Sequence, residues 1–170
     1  YIPSTVLQID GGIFRGCVNL NNIVIDSLNP NYIVEDNIVY SINKDTLVSH
    51  HLASDRVEVS PTVKVIAEEA FTLSRITSVV LPEGLEEIQD AAFRYTPYLY
   101  TVILPQTLRK IGTCAFQKCE SLRTIEIPNS VIEMGDSVFQ DCMSLLTVKM
   151  SDSIKVIPAR TFSYCFFLSS

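Results

Sequence analysis

Hydrophobic residues in this chain recur with two different spacings inside a unit of 23 residues. With the proline that opens a unit counted as position 0, the apolar residues at positions 20 and 22 alternate with polar ones, which is the pattern of a strand with one buried face. The apolar residues at positions 10, 11 and 14 have the spacing of one helical turn. Each unit therefore predicts a short strand, a turn at proline and a short helical return.

The unit repeats along the whole chain. Pro82, Pro105 and Pro128 stand 23 residues apart, and Ser151 takes the next place. Position 11 is occupied by Phe14, Phe71, Phe93, Phe116, Phe139 and Phe162. A single unit cannot enclose its own apolar side chains, so the units must stack into a solenoid, which joins the strands into a parallel sheet on one face and the phenylalanines into a column.

Residues 1–170 are expected to form one solenoid domain of the α/β class, mainly β. The chain begins and ends inside units, which predicts an internal fragment of a longer protein. The segment 26–59 is 34 residues long where one unit would fit, and it contains three short β-like runs separated by turn residues. This segment is interpreted as an elongated repeat that carries a β-hairpin insertion.

Composition narrows the class of protein. The net charge of −6 is spread along the chain, so neither a basic nucleic-acid surface nor an acidic tail is predicted. No apolar run approaches the roughly 20 residues of a membrane span. We therefore expect no nucleic-acid partner and no membrane span within these residues.

The five cysteines favour free thiols over disulfides. Four of them share position 14, where stacked side chains point in parallel and do not easily reach disulfide geometry. These four are Cys17, Cys119, Cys142 and Cys165. We expect them to be buried as small hydrophobic residues, and Cys114 at position 9 to be the exposed thiol.

One run of the sequence resembles a known repeat family. Residues 115–131, which read AFQKCESLRTIEIPNSV, closely resemble the BspA-like leucine-rich repeat of bacterial and protist surface proteins. Asn29-Pro30-Asn31-Tyr32 before Val39-Tyr40 is similar to the hairpin-bearing variant of that repeat. The resemblance implies a leucine-rich repeat solenoid, a cell-surface or secreted location and adhesion to host or extracellular-matrix proteins. It brings no catalytic residues.

A candidate binding surface follows from strand alternation. If positions 20 and 22 face the core, positions 19 and 21 face outward. The candidate ligand-binding residues are Val24, Val80, Tyr100, Thr101, Ile103, Thr124, Glu126, Thr147 and Lys149. The threonines are also explained as an ordinary ladder on an exposed strand. Exposed apolar residues at Val24, Val80 and Ile103 have no packing purpose in the solenoid and favour a contact patch.

Three tyrosines, Tyr95, Tyr98 and Tyr100, are expected at one edge of this patch, either as contact residues or as a rim over the core. His50 and His51 are interpreted as a solvated loop pair, because neighbouring strand residues point to opposite faces and do not share a metal. No nucleophile elbow, phosphate loop or calcium loop occurs. We therefore predict no metal, no cofactor and no enzymatic activity.

Two functions remain open. The chain is either a protein-binding or adhesion module that uses the exposed sheet, or a structural spacer that displays another domain and binds nothing itself. The resemblance favours binding, and the spacer is the alternative.

Overall fold

The computed structural model describes residues 1–17, 19–50 and 55–169. The strands of these residues are short, as expected of a solenoid that turns several times in each unit. They are β1 (Tyr32–Glu35), β2 (Ile38–Ser41), β3 (Thr46–His50), β4 (Arg56–Glu58), β5 (Val65–Ile66), β6 (Ser78–Val80), β7 (Glu87–Ile88), β8 (Thr101–Val102), β9 (Lys110–Ile111), β10 (Thr124–Glu126), β11 (Glu133–Met134) and β12 (Thr147–Lys149).

Two parallel ladders run along the solenoid. In one, β4, β6 and β8 pair in order and β10 pairs with β12. This is the ladder predicted at positions 19 to 22, and its inward residues, such as Val79 and Val102, are buried. In the other, β3, β5, β7, β9 and β11 pair in parallel around positions 5 and 6. The sequence pattern does not predict this second ladder, because strands of two residues show no alternation.

An antiparallel sheet of β1, β2 and β3 stands at the N-terminal end of the second ladder. Its side chains divide between two hydrophobic cores. Val39 and Val48 pack with Ile9 and Ile23 in a small N-terminal core. The neighbouring residues Ile38, Tyr40 and Leu47 belong to the large core of the later units. The sheet therefore forms a wall between the two cores. That residues 26–59 are one elongated repeat, and 1–170 one domain, stays a prediction.

The predicted phenylalanine column is confirmed from Phe71 to Phe162, whereas Phe14 packs against the small N-terminal core. The rings of Phe71, Phe93, Phe116 and Phe139 stack at centroid distances of 4.7, 5.1 and 5.7 Å and are fully buried. Phe162 continues the stack at 5.9 Å. The rings and the inward residues of both ladders belong to one hydrophobic core, so one column of side chains supports both sheets.

His50 closes the other end of this column. Its ring stacks on Phe71 at 5.1 Å, and its Nδ1 lies 3.4 Å from the hydroxyl of Ser74. The side chain is 6% exposed, so the interpretation of His50 as a solvated loop residue is wrong. It takes the place of a phenylalanine in a unit whose register the inserted residues disturb. His51 lies outside the described residues.

The return segment is not helical, and the prediction of short helical turns is wrong. No helix occurs among the described residues. Instead, left-handed residues recur at positions 9 and 13: Glu69, Ala91, Cys114, Ser137 and Arg160 in the first row, and Leu73, Tyr95, Lys118, Asp141 and Tyr164 in the second. A left-handed residue at every fourth place interrupts any α-helix.

Backbone hydrogen bonds show what replaces the helix. The N–H groups of Ala91, Phe93 and Tyr95 donate to carbonyl oxygens of the next unit, at 2.8, 2.8 and 2.9 Å. The intervening N–H groups of Ala92, Arg94 and Thr96 donate to the carbonyl three residues earlier. Turns of this kind bring positions 10, 11 and 14 to one side, as a helical turn would. The apolar spacing alone does not distinguish the two.

The thiols follow the expectation only in part. All five cysteines are free, and Cys119 and Cys142 are buried. Each of these two donates to the carbonyl oxygen of a phenylalanine in the preceding unit, at 3.3 and 3.2 Å. Cys17 is exposed and Cys165 is half-buried, so the expectation of burial is wrong for these two, and Cys114 is half-buried rather than exposed. Burial raises the pKa of the Cys114 thiol.

Candidate functional site

The outward side chains of β4, β6, β8, β10 and β12 form the surface that is called here the β6–β8 face. Val80 follows Ser78 on β6, and Ile103 follows the two residues of β8. Because side chains alternate along a strand, the residue directly before each of these two is buried, and Val80 and Ile103 themselves face the solvent. Val80 is 43% exposed and Ile103 is 81% exposed, although both are β-branched hydrophobic residues.

A shallow groove of about 360 Å³ runs between these two strands. Val80, Thr101 and Ile103 line it, and the polar groups at its borders come from Arg56, Ser78 and Glu83. Ser78 and Thr101 are direct cross-strand neighbours. The groove therefore has an apolar centre, one hydroxyl pair beside it and charged groups at the border. Tyr100, next to Thr101 in the chain, is 57% exposed.

Ion pairs lie on both sides of this apolar centre. On β4, the guanidinium of Arg56 lies 3.0 Å from the carboxylate of Glu58, which is the direct neighbour of Val80 in the row. Lys149 on β12 pairs with Glu126 on β10. The hydrogen bond to Glu126 raises the pKa of Lys149 above its ordinary value. All four charged side chains are largely exposed, so both ion pairs are solvated and lie at the border of the apolar centre.

The remaining candidates of this face form a second groove. Thr124 and Thr147 are direct neighbours, as are Glu126 and Lys149. The four side chains line a shallow depression of about 470 Å³. Threonines side by side on an exposed strand pair are the ordinary ladder, and here they extend the polar border of the apolar centre.

Val24 lies apart from the other candidates. The neighbour of Val80 on the preceding strand of this ladder is Glu58, not Val24. Val24 is 44% exposed, and its carbonyl oxygen accepts a hydrogen bond from the N–H of Ile2. The segment 26–59 carries an outward residue of its own at Glu58, which counting from the proline misses because the 23-residue interval is not kept there. A part for Val24 in binding stays a prediction.

The three tyrosines do not share one edge. Tyr95 and Tyr98 line a different groove on the return segment, of about 510 Å³, together with Leu73, Arg75 and Lys118. Only Tyr100 adjoins the β6–β8 face. The predicted tyrosine cluster is therefore divided between two surfaces. Sequence reasoning missed Arg75 and Lys118, because turn residues carry no strand or helix period.

The outward side chains of β5, β7, β9 and β11 form the opposite surface, which is called here the β7–β9 face. Its outward row places Lys110 between Glu87 and Glu133. Lys110 lies 3.0 Å from Glu87, and this hydrogen bond raises the pKa of Lys110. One position earlier, Lys64 pairs with Glu86 at 3.7 Å. Lys64 and Lys110 therefore have acidic partners within the chain.

The repeats match a family in six copies over residues 1–48 and 40–169, described as the BspA-type leucine-rich repeat region. The match covers nearly the whole chain.

This chain belongs to the BspA-type leucine-rich repeat family.

Solved structures of bacterial leucine-rich repeat proteins have a similar fold. The pneumococcal vaccine antigen PcpA is 23% identical with a TM-score of 0.90, over 98% of this chain and 42% of that one. A leucine-rich cell-surface protein of Faecalibacterium prausnitzii is 26% identical with a TM-score of 0.88, over 99% of this chain and 45% of that one. A leucine-rich repeat protein of Eubacterium ventriosum is 26% identical with a TM-score of 0.80, over 99% of this chain and 53% of that one.

The chain therefore spans about half the length of these proteins or less. A search of curated protein sequences gave no match. The family and the likeness of fold establish a mainly β leucine-rich repeat solenoid of the kind found in bacterial surface proteins.

The described residues of this BspA-type chain include histidine, cysteine and acidic side chains. Their His, Cys, Asp and Glu side chains form no group of three that a metal ion would need. The contact between Ser74 and His50 is buried beside Phe71. In the described part of the chain, no helix has the length and apolar character of a membrane span.

Proposed function

We propose that this chain is a protein-binding module of a cell-surface or secreted protein, and that its partner binds the β6–β8 face. The observation that carries the proposal is the exposed apolar pair Val80 and Ile103, which lies in the centre of the solenoid between two ion pairs. Neither side chain contributes to the core, so their exposure has no purpose in folding.

The arrangement has the anatomy of a protein interface. Interfaces between proteins place apolar residues at the centre and polar residues at the border. Here the border consists of Arg56–Glu58 on one side and Glu126–Lys149 on the other. Because the charges of these two ion pairs have partners within the chain, a protein that covers the apolar centre does not leave them unpaired.

The expected size of the effect follows from burial. Fully burying a side chain of the size of valine or isoleucine contributes about 1.5–3 kcal/mol. Two such side chains at the centre of an interface therefore decide whether binding is detected. A carboxylate in their place has to be desolvated without a partner, which adds to the loss.

The proposed partner is a host or extracellular-matrix protein. This proposal rests on the BspA-type repeat and on the description of one similar structure as a cell-surface protein. The two grooves on this face are shallow and open, which suits an extended protein surface better than an enclosed small molecule.

Binding to a panel of extracellular-matrix and cell-surface proteins, measured by biolayer interferometry, tests the proposal. The test variant is Val80→Asp/Ile103→Asp. The matched control is Ile42→Asp/Ile132→Asp, which places the same charges at two exposed isoleucines outside the face. Circular dichroism and a urea titration establish that both variants are folded.

The proposal predicts saturable binding of the wild type and of the control, and loss of binding in the test variant. Equal binding by all three proteins would place the site elsewhere. Binding lost only in the control would move the site to the hairpin or the β7–β9 face. No binding to any member of the panel would favour the spacer.

A further inference from the structure

A second groove lies on the return segment, across positions 13 to 16 of three successive units. It is about 510 Å³ in volume and is separate from the grooves of the β6–β8 face. Its lining residues are Leu73, Ser74, Arg75, Tyr95, Pro97, Tyr98, Lys118, Glu120 and Ser121. Tyr98 is 53% exposed and Leu73 is 48% exposed, so the groove presents apolar surface in the middle of the molecule rather than at an end.

The cations of this groove differ from the paired lysines of the two strand faces, although Arg109 and Lys155 beside the β7–β9 face also lie in no ion pair among the described residues. Lys64, Lys110 and Lys149 each lie in an ion pair with a glutamate of the neighbouring unit. Arg75 and Lys118 form no ion pair with any of the residues that the structure describes. This is a local excess of positive charge in a chain whose net charge is −6. Such an excess attracts a negative group.

The backbone and Tyr95 hold the Lys118 side chain in place. Tyr95 and Lys118 occupy the same left-handed position of successive units, with φ angles of 56° and 60°. The ammonium nitrogen of Lys118 lies 4.7 Å from the centroid of the Tyr95 ring, and the Arg94 guanidinium lies 5.1 Å from it. A cation fixed over an aromatic ring loses less conformational freedom when it binds an anion.

We propose that this groove binds an acidic segment of a protein partner, with a carboxylate held by Arg75 and Lys118 and the adjoining side chains packed on Tyr98 and Pro97. Arginine and tyrosine are the residues favoured at protein interfaces, and arginine recognises carboxylates in a bidentate manner. Glu120 is the one carboxylate of the lining. The negative charge of Glu120 repels a densely charged polyanion such as a sulfated glycan, but it still permits the binding of a single carboxylate.

The groove lies close along the chain to the surface used by the proposed function. Tyr98 lines the groove and Thr101 lines the β6–β8 groove, and the exposed Tyr100 stands between them in the chain. The inference uses the proposed function only in taking the partner to be a protein, and the two are tested separately.

Titration of the ¹⁵N-labelled chain with a short capped peptide, followed by backbone amide NMR shifts, tests the inference. The probe alternates glutamate and leucine, and its control replaces each glutamate by glutamine. We expect saturable shifts in residues 73–75, 95–98 and 118–121 with the glutamate peptide only. Raising the salt concentration weakens them, because the attraction is between charges.

Two charge variants sharpen the test. Arg75→Gln/Lys118→Gln is expected to weaken binding about tenfold or more, the effect of losing charge-assisted hydrogen bonds. Arg109→Gln/Lys155→Gln removes two exposed cations outside the groove and is expected to leave binding unchanged. Val80→Asp/Ile103→Asp is also expected to leave binding of the glutamate peptide unchanged, so the groove is tested independently of the β6–β8 face.

Several results overturn the inference. One is the absence of saturable shifts, and another is equal weakening by both glutamine variants, which shows diffuse attraction to any cation. A third is saturable binding of a hyaluronan oligosaccharide at the same residues without a response to the glutamate peptide. That result assigns the groove to an acidic glycan.

Discussion

The two strand faces of this solenoid are built on the same backbone repeat and differ in their outward side chains. On the β7–β9 face, Lys110 lies between two glutamates, and Lys64 pairs with Glu86. On the β6–β8 face, Val80 and Ile103 stand exposed where the other face has charged residues. The β7–β9 face has charged residues at its centre and exposed apolar residues, Ile132 and Val156, towards its C-terminal end, whereas the β6–β8 face has its apolar pair at the centre.

The difference separates folding from function in this chain. Inward residues of both faces meet the same phenylalanine column, so both are needed to form the solenoid. Outward residues are not constrained by the core. The apolar pair at the centre of one outward row, and the charged residues at the centre of the other, are therefore best explained by what each face meets outside the chain.

The largest expected effect comes from breaking the column that supports both faces. Phe116→Ala removes a fully buried ring and is expected to lower the free energy of unfolding by about 3–5 kcal/mol. Phe162→Ala removes a half-buried ring from the end of the stack and is expected to cost roughly 1–2 kcal/mol. Urea denaturation of both variants measures the difference. Equal losses would contradict a column that is continuous and tightest at its centre.

The next prediction compares a tightly packed position beside the β7–β9 face with an exposed position on the β6–β8 face. A Cβ at Gly112, directly after β9, would lie 2.5 Å from the backbone nitrogen of Asp90 in the preceding unit. Gly112→Ala is therefore expected to destabilise the chain by about 1–3 kcal/mol through overpacking between units. Thr101→Ala on the exposed row of β8 is the control, with an expected change within about 0.5 kcal/mol. Thermal denaturation of the two variants measures both, and similar melting temperatures would contradict the close approach at Gly112.

Charge reversal tests the electrostatic contrast directly. Glu87→Lys removes the partner of Lys110 and places two like charges side by side, at an expected cost of about 1 kcal/mol. Ile103→Lys on the β6–β8 face is expected to change stability by less than about 0.5 kcal/mol. Urea denaturation at low and high salt measures both, and salt should reduce only the first effect. A cost at Ile103 as large as that at Glu87 would mean that Ile103 contributes to folding.

The smallest effect concerns the return groove and changes no stability. The hydrogen bond and charge of Lys118 lower the pKa of the Tyr95 phenol below its ordinary value. Lys118→Gln removes the positive charge that favours the phenolate, so the pKa of Tyr95 should rise towards that value. A ¹³C NMR titration of the tyrosine ring carbons measures it. An unchanged pKa would show that Lys118 does not hold its position over the ring.

The repeat made most of the core predictable. A fixed interval identifies Phe93, Phe116 and Phe139 as one column, and alternation identifies Val80 and Ile103 as outward residues. The return segment could not be predicted as easily, because alternating turns and a helical turn give the same apolar spacing. One signal was present: Gly12 and Gly16 occupy the two left-handed positions of the first unit, with φ angles of 69° and 74°.

The site was predictable only where the repeat keeps its register. Glu58 and His50 lie in the segment 26–59, where the 23-residue interval is not kept, so counting from the proline does not reach them. The structure shows that Glu58 neighbours Val80 and that His50 continues the ring column. Arg75 and Lys118 share a groove through the stacking of turns, which no period along the chain reveals.

The most direct test of the contrast between the faces is amide hydrogen exchange of the chain with and without a saturating partner from the binding panel. The account predicts slower exchange in residues 76–83 and 99–105, which contain β6 and β8, and unchanged exchange in 86–90 and 109–113, which contain β7 and β9. Slower exchange confined to β7 and β9 would contradict it and would assign binding to the charged face.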